Sequence, residues 1–217
     1  GLAIFLTLLA NGCFLFQQPI AEKPPQILFE SNRDGNYEIY SMNPDGTELT
    51  RLTENELHDC CARWSPDRKF IVFESNRATG TPDDPDSPRD LFVMEADGKR
   101  PVQITFNETE DCCSNWSPDG KNIIFSSLVH NNWELFLTDP FGAKLTRLTN
   151  HYAVDGAPSW SPDGKKIAFN SDREGDSDIF VMNADGSNLV SLVRQEGNDG
   201  TPAWSPDGKK IAFNSDH

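Results

Sequence analysis

The sequence is short of positive charge. Its 19 lysines and arginines stand against 34 aspartates and glutamates, a formal net charge of −15. That balance argues against nucleic acid as a ligand, because phosphate contacts need clustered Lys and Arg. Long hydrophobic runs are also lacking. The apolar run Leu2–Ala10 has nine residues, well under the ~20 that a membrane-spanning helix requires. No stretch keeps a helical period, since apolar segments break at Gly, Pro or Asp before an amphipathic helix could form, which excludes a helical repeat. Catalytic signatures are missing: there is no G-x-S-x-G, no H-E-x-x-H and no glycine-rich phosphate loop, and His58, His130, His151 and His217 occupy unrelated positions.

What the chain does have is repetition. "WSPDGKKIAFNSD" occurs at Trp160–Asp172 and again at Trp204–Asp216, and the tryptophans of the W-S-P-D phrase stand at 64, 116, 160 and 204, steps of 52, 44 and 44 residues. Apolar triplets beginning at Ile27, Ile71, Ile123, Ile167 and Ile211 keep the same period. The long second unit carries its extra residues in Ala78–Asp90, a polar, proline-rich surface loop. Each unit reads as four short strands: one ending at the tryptophan, a Ser-Pro-Asp-Gly turn, the apolar triplet, a polar loop, a third strand such as "DIFVMN", an Asp-Gly turn, and a fourth. Four antiparallel strands at a period near 44 define a β-propeller blade. The fold class is therefore all-β, with four to five blades present. Three strands of one blade, three complete blades and two strands of another make seventeen strands. The expectation is a fragment of a larger ring, the alternative a five-bladed ring with incomplete blades.

"SNRDGNYEIYSMNPDGTELTRLT" from Ser31 to Thr53, together with the four W-S-P-D phrases, resembles the propeller repeats of the TolB family, periplasmic components of the Tol-Pal system, from about Gln26 to His217. The resemblance implies a six-bladed parent propeller, and a non-catalytic protein-interaction scaffold exported to the periplasm or cell surface. Related repeats also form the propellers of prolyl-oligopeptidase-type peptidases and of pectin-degrading lyases, so the alternative is the propeller segment of a hydrolase or lyase whose catalytic part is missing. Two units depart from the phrase. The second has Arg68 in place of the turn glycine, and the third has "SSLVHNNWELFLTDPFG" in place of the S-x-R-x-G and M-N-x-D-G phrases, which leaves open whether those units make the same contacts.

Residues 1–22 read as a signal region ahead of a propeller at 23–217. Leu2–Ala10 fits an apolar signal core, and "ANGC" places small residues before Cys13. Cys13 is a lipidation candidate that would anchor the protein to a membrane; an ordinary signal peptide cut nearby is the other reading.

The remaining cysteines are two adjacent pairs, Cys60-Cys61 and Cys112-Cys113, at one repeat position where other units read Gly-Ala or Gly-Thr. Vicinal disulfides, free thiols and a metal site are all open, although adjacent α-carbons about 3.8 Å apart lie below the usual disulfide range and C-C is not the common C-x-x-C zinc spacing. Asp59, Asp111, Asp155 and Asp199 recur five residues before each tryptophan. On inner strands they would form an acidic arc at one channel mouth, able to bind Ca²⁺ or a basic segment of a partner; alternatively each accepts hydrogen bonds within its own loop. No other cofactor is expected. Trp64, Trp116, Trp160 and Trp204 are expected to be structural, covering junctions between blades. An unpaired last strand is expected to let the fragment self-associate.

Overall fold

In a computed structural model the described residues are 26–81, 84, 87–194 and 196–216. The signal region with Cys13 lies outside them. Among them, seventeen strands form five antiparallel sheets. The first sheet holds β1 (Ile27–Ser31), β2 (Glu38–Met42) and β3 (Thr50–Arg51). The second holds β4 (Asp59–Trp64), β5 (Phe70–Ser75), β6 (Asp90–Glu95) and β7 (Val102–Gln103). The third holds β8 (Asp111–Trp116), β9 (Ile123–Val129), β10 (Asn132–Thr138) and β11 (Thr146–Arg147). The fourth holds β12 (Asp155–Trp160), β13 (Lys166–Ser171), β14 (Asp178–Asn183) and β15 (Val190–Ser191). The last holds β16 (Asp199–Trp204) and β17 (Ile211–Ser215).

Within each sheet, strands pair in sequence order, as in a propeller blade. Strands β1, β4, β8, β12 and β16 link neighbouring sheets in succession, while no strand of the first sheet touches one of the fourth or fifth. The five sheets form an open arc, which corrects the alternative of a closed five-bladed ring. The extra residues of the second unit fall between β5 and β6.

The apolar triplets are short and continuous because the second strands of the three complete sheets, β5, β9 and β13, are buried on both faces. Ile71 and Phe73 pack toward the first sheet with Ile39 and Met94, while Val72 packs toward the third with Phe125 and Ile123. Ile124 points the other way, into the next cluster with Ile167 and Phe169. Burying each such side chain contributes ~1.5–3 kcal/mol. The Ser-Pro-Asp-Gly turn supplies its own hydrogen bonds. In all four copies the serine hydroxyl donates to the aspartate at 2.7 Å, and the aspartate accepts the N–H two residues on. Gly120, Gly164 and Gly208 sit at φ near +70°, and Arg68 adopts the same left-handed conformation at φ 57°, so the second unit keeps the turn despite its departure. The Asp-Gly turn after the third strand has a second role. A Cβ on Gly142 would lie 2.5 Å from the Ile104 carbonyl oxygen, and one on Gly98 2.3 Å from that of Leu52. This turn therefore docks directly on the fourth-strand backbone of the preceding blade, and the "DPFG" of the third unit preserves it.

Candidate functional site

Each inner strand begins with an aspartate and ends with a tryptophan, which puts the two recurring residues at opposite ends of the blade. The aspartates are not an open acidic arc. Asp59, Asp111 and Asp155 are fully buried and Asp199 is 1% exposed. Arg173 binds both oxygens of Asp155, at 2.7 and 2.9 Å, and Arg77 binds Asp59 at 2.5 Å. Each of these arginines also lies over a cross-strand aromatic pair, the tilted Phe169–Phe180 or the stacked Phe73–Phe92. The S-x-R phrase is therefore the partner of the aspartate in its own blade. In the third unit Val129 replaces the arginine, and Asp111 accepts instead from Asn107 at 2.8 Å. Burial raises the pKa of Asp111, and that of Asp59, above the usual carboxylate range. Asp155 through both oxygens, and Asp59 and Asp111 through one each, accept from donors of the same unit, which makes them locks within blades.

A second set of acids escaped sequence reasoning. Glu38, Asp90 and Asp178 open third strands, Glu134 stands two residues into β10, and all four are at most 5% exposed. Glu134 accepts from Arg147 at 2.8 Å, from Thr149 at 2.6 Å and from the His151 N–H at 2.9 Å. Glu38 repeats this with Arg51 and the Asn55 N–H. Asp90 has neutral donors, Gln103, Thr105 and the Asn107 N–H, and burial pushes its pKa up to about 6. The signal was present in the repeat itself: an acid precedes Ile or Leu at or near the start of each of the four third strands among the described residues.

The tryptophans face the preceding sheet. Trp64, Trp116 and Trp204 donate their indole N–H to Gln26, Arg63 and Ser159 carbonyls, each at 3.2 Å. Trp160 packs against the same type of junction, with its indole nitrogen unpaired.

The cysteines occupy β-bulges. Cys61 and Cys113 are at φ 56° and 59°, and the register of β4 and β8 shifts beside them. All four are free thiols. The sulfurs of Cys112 and Cys113 are 3.3 Å apart, close enough to share a proton. In each pair the first thiol's hydrogen bond lowers the pKa of the second, and the first is raised. Two carboxylates belong to this cluster: Glu30 accepts the Cys61 N–H at 3.0 Å and Glu74 the Cys113 N–H at 2.7 Å. Burial, followed by the neighbouring thiols, pushes Glu74 up to about 9.

At the other end of the blades, where the Ser-Pro-Asp-Gly turns lie, a groove of about 830 Å³ opens between the second and third sheets. Trp116, Phe70, Met94, Val102 and Phe141 give it an apolar floor and wall, with Phe141 80% and Val102 56% exposed. Its rim carries Asp67, Glu95, Asp119 and Asp139 against Arg100 and Lys121.

Blades of four antiparallel strands, locked by buried charge and stapled by tryptophan, define a repeat propeller. Residues 86–217 match the model of the TolB β-propeller domain, and the chain belongs to that family. A TolB homolog from Chlorobium luteolum is 32% identical over 144 residues, covering 51% of this chain and 33% of that protein. The chain spans about a third of the length of the curated relatives it matches, 30% and 33%. Among solved structures, a protein described as TolB from Agrobacterium tumefaciens superposes with a TM-score of 0.75 at 25% identity, over 88% of this chain and 71% of that one. An oligogalacturonate lyase from Vibrio parahaemolyticus gives 0.69 at 19% identity, over 88% and 55%; at that identity the likeness is one of fold alone.

Proposed function

We propose that this chain is the propeller of an exported, non-catalytic scaffold that binds protein partners in the periplasm or at the cell surface. The family match over residues 86–217 carries the reading. The internal pairing of the repeated ionisable groups supports it, because the aspartates and arginines of the repeat hold blades together and are not left free for chemistry. The groove between the second and third blades is the proposed contact. Its apolar floor and its rim of four acids against two bases suit an apolar segment flanked by Lys or Arg.

Envelope proteins cross-linked to the full-length protein in its own cells test this. A specific partner should be co-isolated with the wild type and lost with Phe141→Asp or Val102→Asp, both exposed positions whose melting should be unchanged. Peptidase or polysaccharide-lyase activity of the full-length protein that depended on residues of this chain would overturn the reading.

A further inference from the structure

We propose that Cys60, Cys61 and Glu30 bind a thiophilic divalent cation of the zinc class, with Glu74 as the fourth donor. The ligand atoms of Glu30, Cys60 and Cys61 all lie within 4.8 Å of one another. A tetrahedral zinc with thiolate and carboxylate ligands holds its donor atoms roughly 3.4 to 3.8 Å apart, so small rotamer changes close the set. The backbone explains the convergence. Consecutive side chains of a regular strand point to opposite faces, but the bulge at Cys61, with φ 56°, brings both sulfurs to one place. Glu30 reaches in from the neighbouring sheet, held by the Cys61 N–H at 3.0 Å.

Glu74 supplies an independent observation. It is 1% exposed and forms no ion pair among the described residues. One oxygen is fixed by the Cys113 N–H and the other lies 3.9 Å from the Cys60 sulfur. A buried carboxylate among thiols needs a proton or a cation, and a bound divalent ion would be the dominant local charge.

The repeat itself supplies another. Where the strand after a Ser-Pro-Asp turn, or its counterpart in the first unit, carries Glu (Glu30, Glu74), the next unit's bulge carries Cys-Cys. Where that strand carries Ser126 or Asn170, the next bulge is Gly156-Ala157 or Gly200-Thr201. Thiols and carboxylates thus enter this repeat position together and leave it together. On binding, all four donors are ionised, and every proton still held by Cys60, Cys61 and the Glu74 carboxyl is released to solvent. This site is independent of the groove and of the scaffold reading.

The test is Co²⁺ titration of the full-length, reduced, metal-free protein under anaerobic conditions. The proposal predicts a sulfur-to-cobalt charge-transfer band with tetrahedral visible absorption, displaced by Zn²⁺. The band should be lost in Cys60→Ser and Cys61→Ser and kept in the Cys112→Ser/Cys113→Ser double variant. Glu30 is exposed, so Glu30→Gln leaves the fold intact and should weaken cobalt binding about tenfold or more. Absence of a charge-transfer band, a band that survives loss of Cys60 and Cys61, or unchanged affinity in Glu30→Gln would overturn it. So would protein isolated without reductant carrying a Cys60–Cys61 disulfide by mass spectrometry.

Discussion

Asp155 and Asp111 hold the same place in their blades and differ in one partner, and that difference sets what each contributes. Asp155 faces Arg173, whose side chain is only 13% exposed. Removing one member of such a pair leaves a buried charge uncompensated, at a cost of about 3–5 kcal/mol. Asp155→Ala should lower stability by that order in urea unfolding, and Asp155→Ala/Arg173→Met should recover part of it. Asp111 has neutral donors, and burial already disfavours its ionised form. Asp111→Asn should therefore be close to neutral. Asp90 gives the pH signature. Its folded pKa, about 6, stands above the ordinary 3.8, so ionising it costs the folded state more than the unfolded chain. Stability from this group is present below pH 3.8 and declines as pH rises to about 6, then stays constant. Asp90→Asn keeps the hydrogen-bonding shape, so its melting temperature should match the wild type below that window and exceed it above. Arg68 is the one non-glycine at the left-handed turn position. Arg68→Gly should stabilise by about 0.5–1 kcal/mol, less whatever its guanidinium gains over the Trp64 ring, 5.6 Å away.

At the scale of the element, strand number and order, and the boundaries of the first three strands of a unit, were legible in the sequence because every unit repeats the same turn chemistry and apolar triplet, whereas the fourth strands are only two residues long. Ser-Pro-Asp-Gly and Asp-Gly mark strand ends wherever they occur, and a period near 44 makes one unit predict the next. Pairing was harder to read. The link from Arg173 to Asp155 runs between the second-strand loop and the first strand, and no sequence spacing states that a carboxylate faces inward to an arginine and not outward to a channel. The acids of the third strands were visible as a repeat, yet an acid beside Ile or Leu looks like a solvated strand end until its burial is known. The bulge at Cys61 and Cys113 had no sequence signal at all, since Cys, Ala and Thr share it. Two variants test how elements join. Trp116 is 9% exposed and donates to Arg63 of the preceding sheet. Trp116→Ala should cost about 3–5 kcal/mol, and Trp204→Ala less, because Trp204 is less deeply buried. Gly142→Ala combines a left-handed φ with a Cβ inside contact distance of the Ile104 backbone. It should destabilise more than Gly120→Ala, where the nearest atom is 3.7 Å away.

At the scale of the whole molecule, charge and shape divide the work between the two ends of the blades. The end where inner strands begin holds the buried acids and their arginines, which tie strands together within each blade. The end with the Ser-Pro-Asp-Gly turns holds the apolar groove, where Phe141 projects into solvent beside an acidic rim. The central claim is that a partner protein is held there. A photoreactive residue placed at position 141 of the full-length protein in its own cells tests it most directly, with Tyr152, 86% exposed on the loop entering β12, as the control at the opposite end. The account predicts a discrete cross-linked partner from position 141 and none from position 152. A partner captured from 152 alone would contradict it.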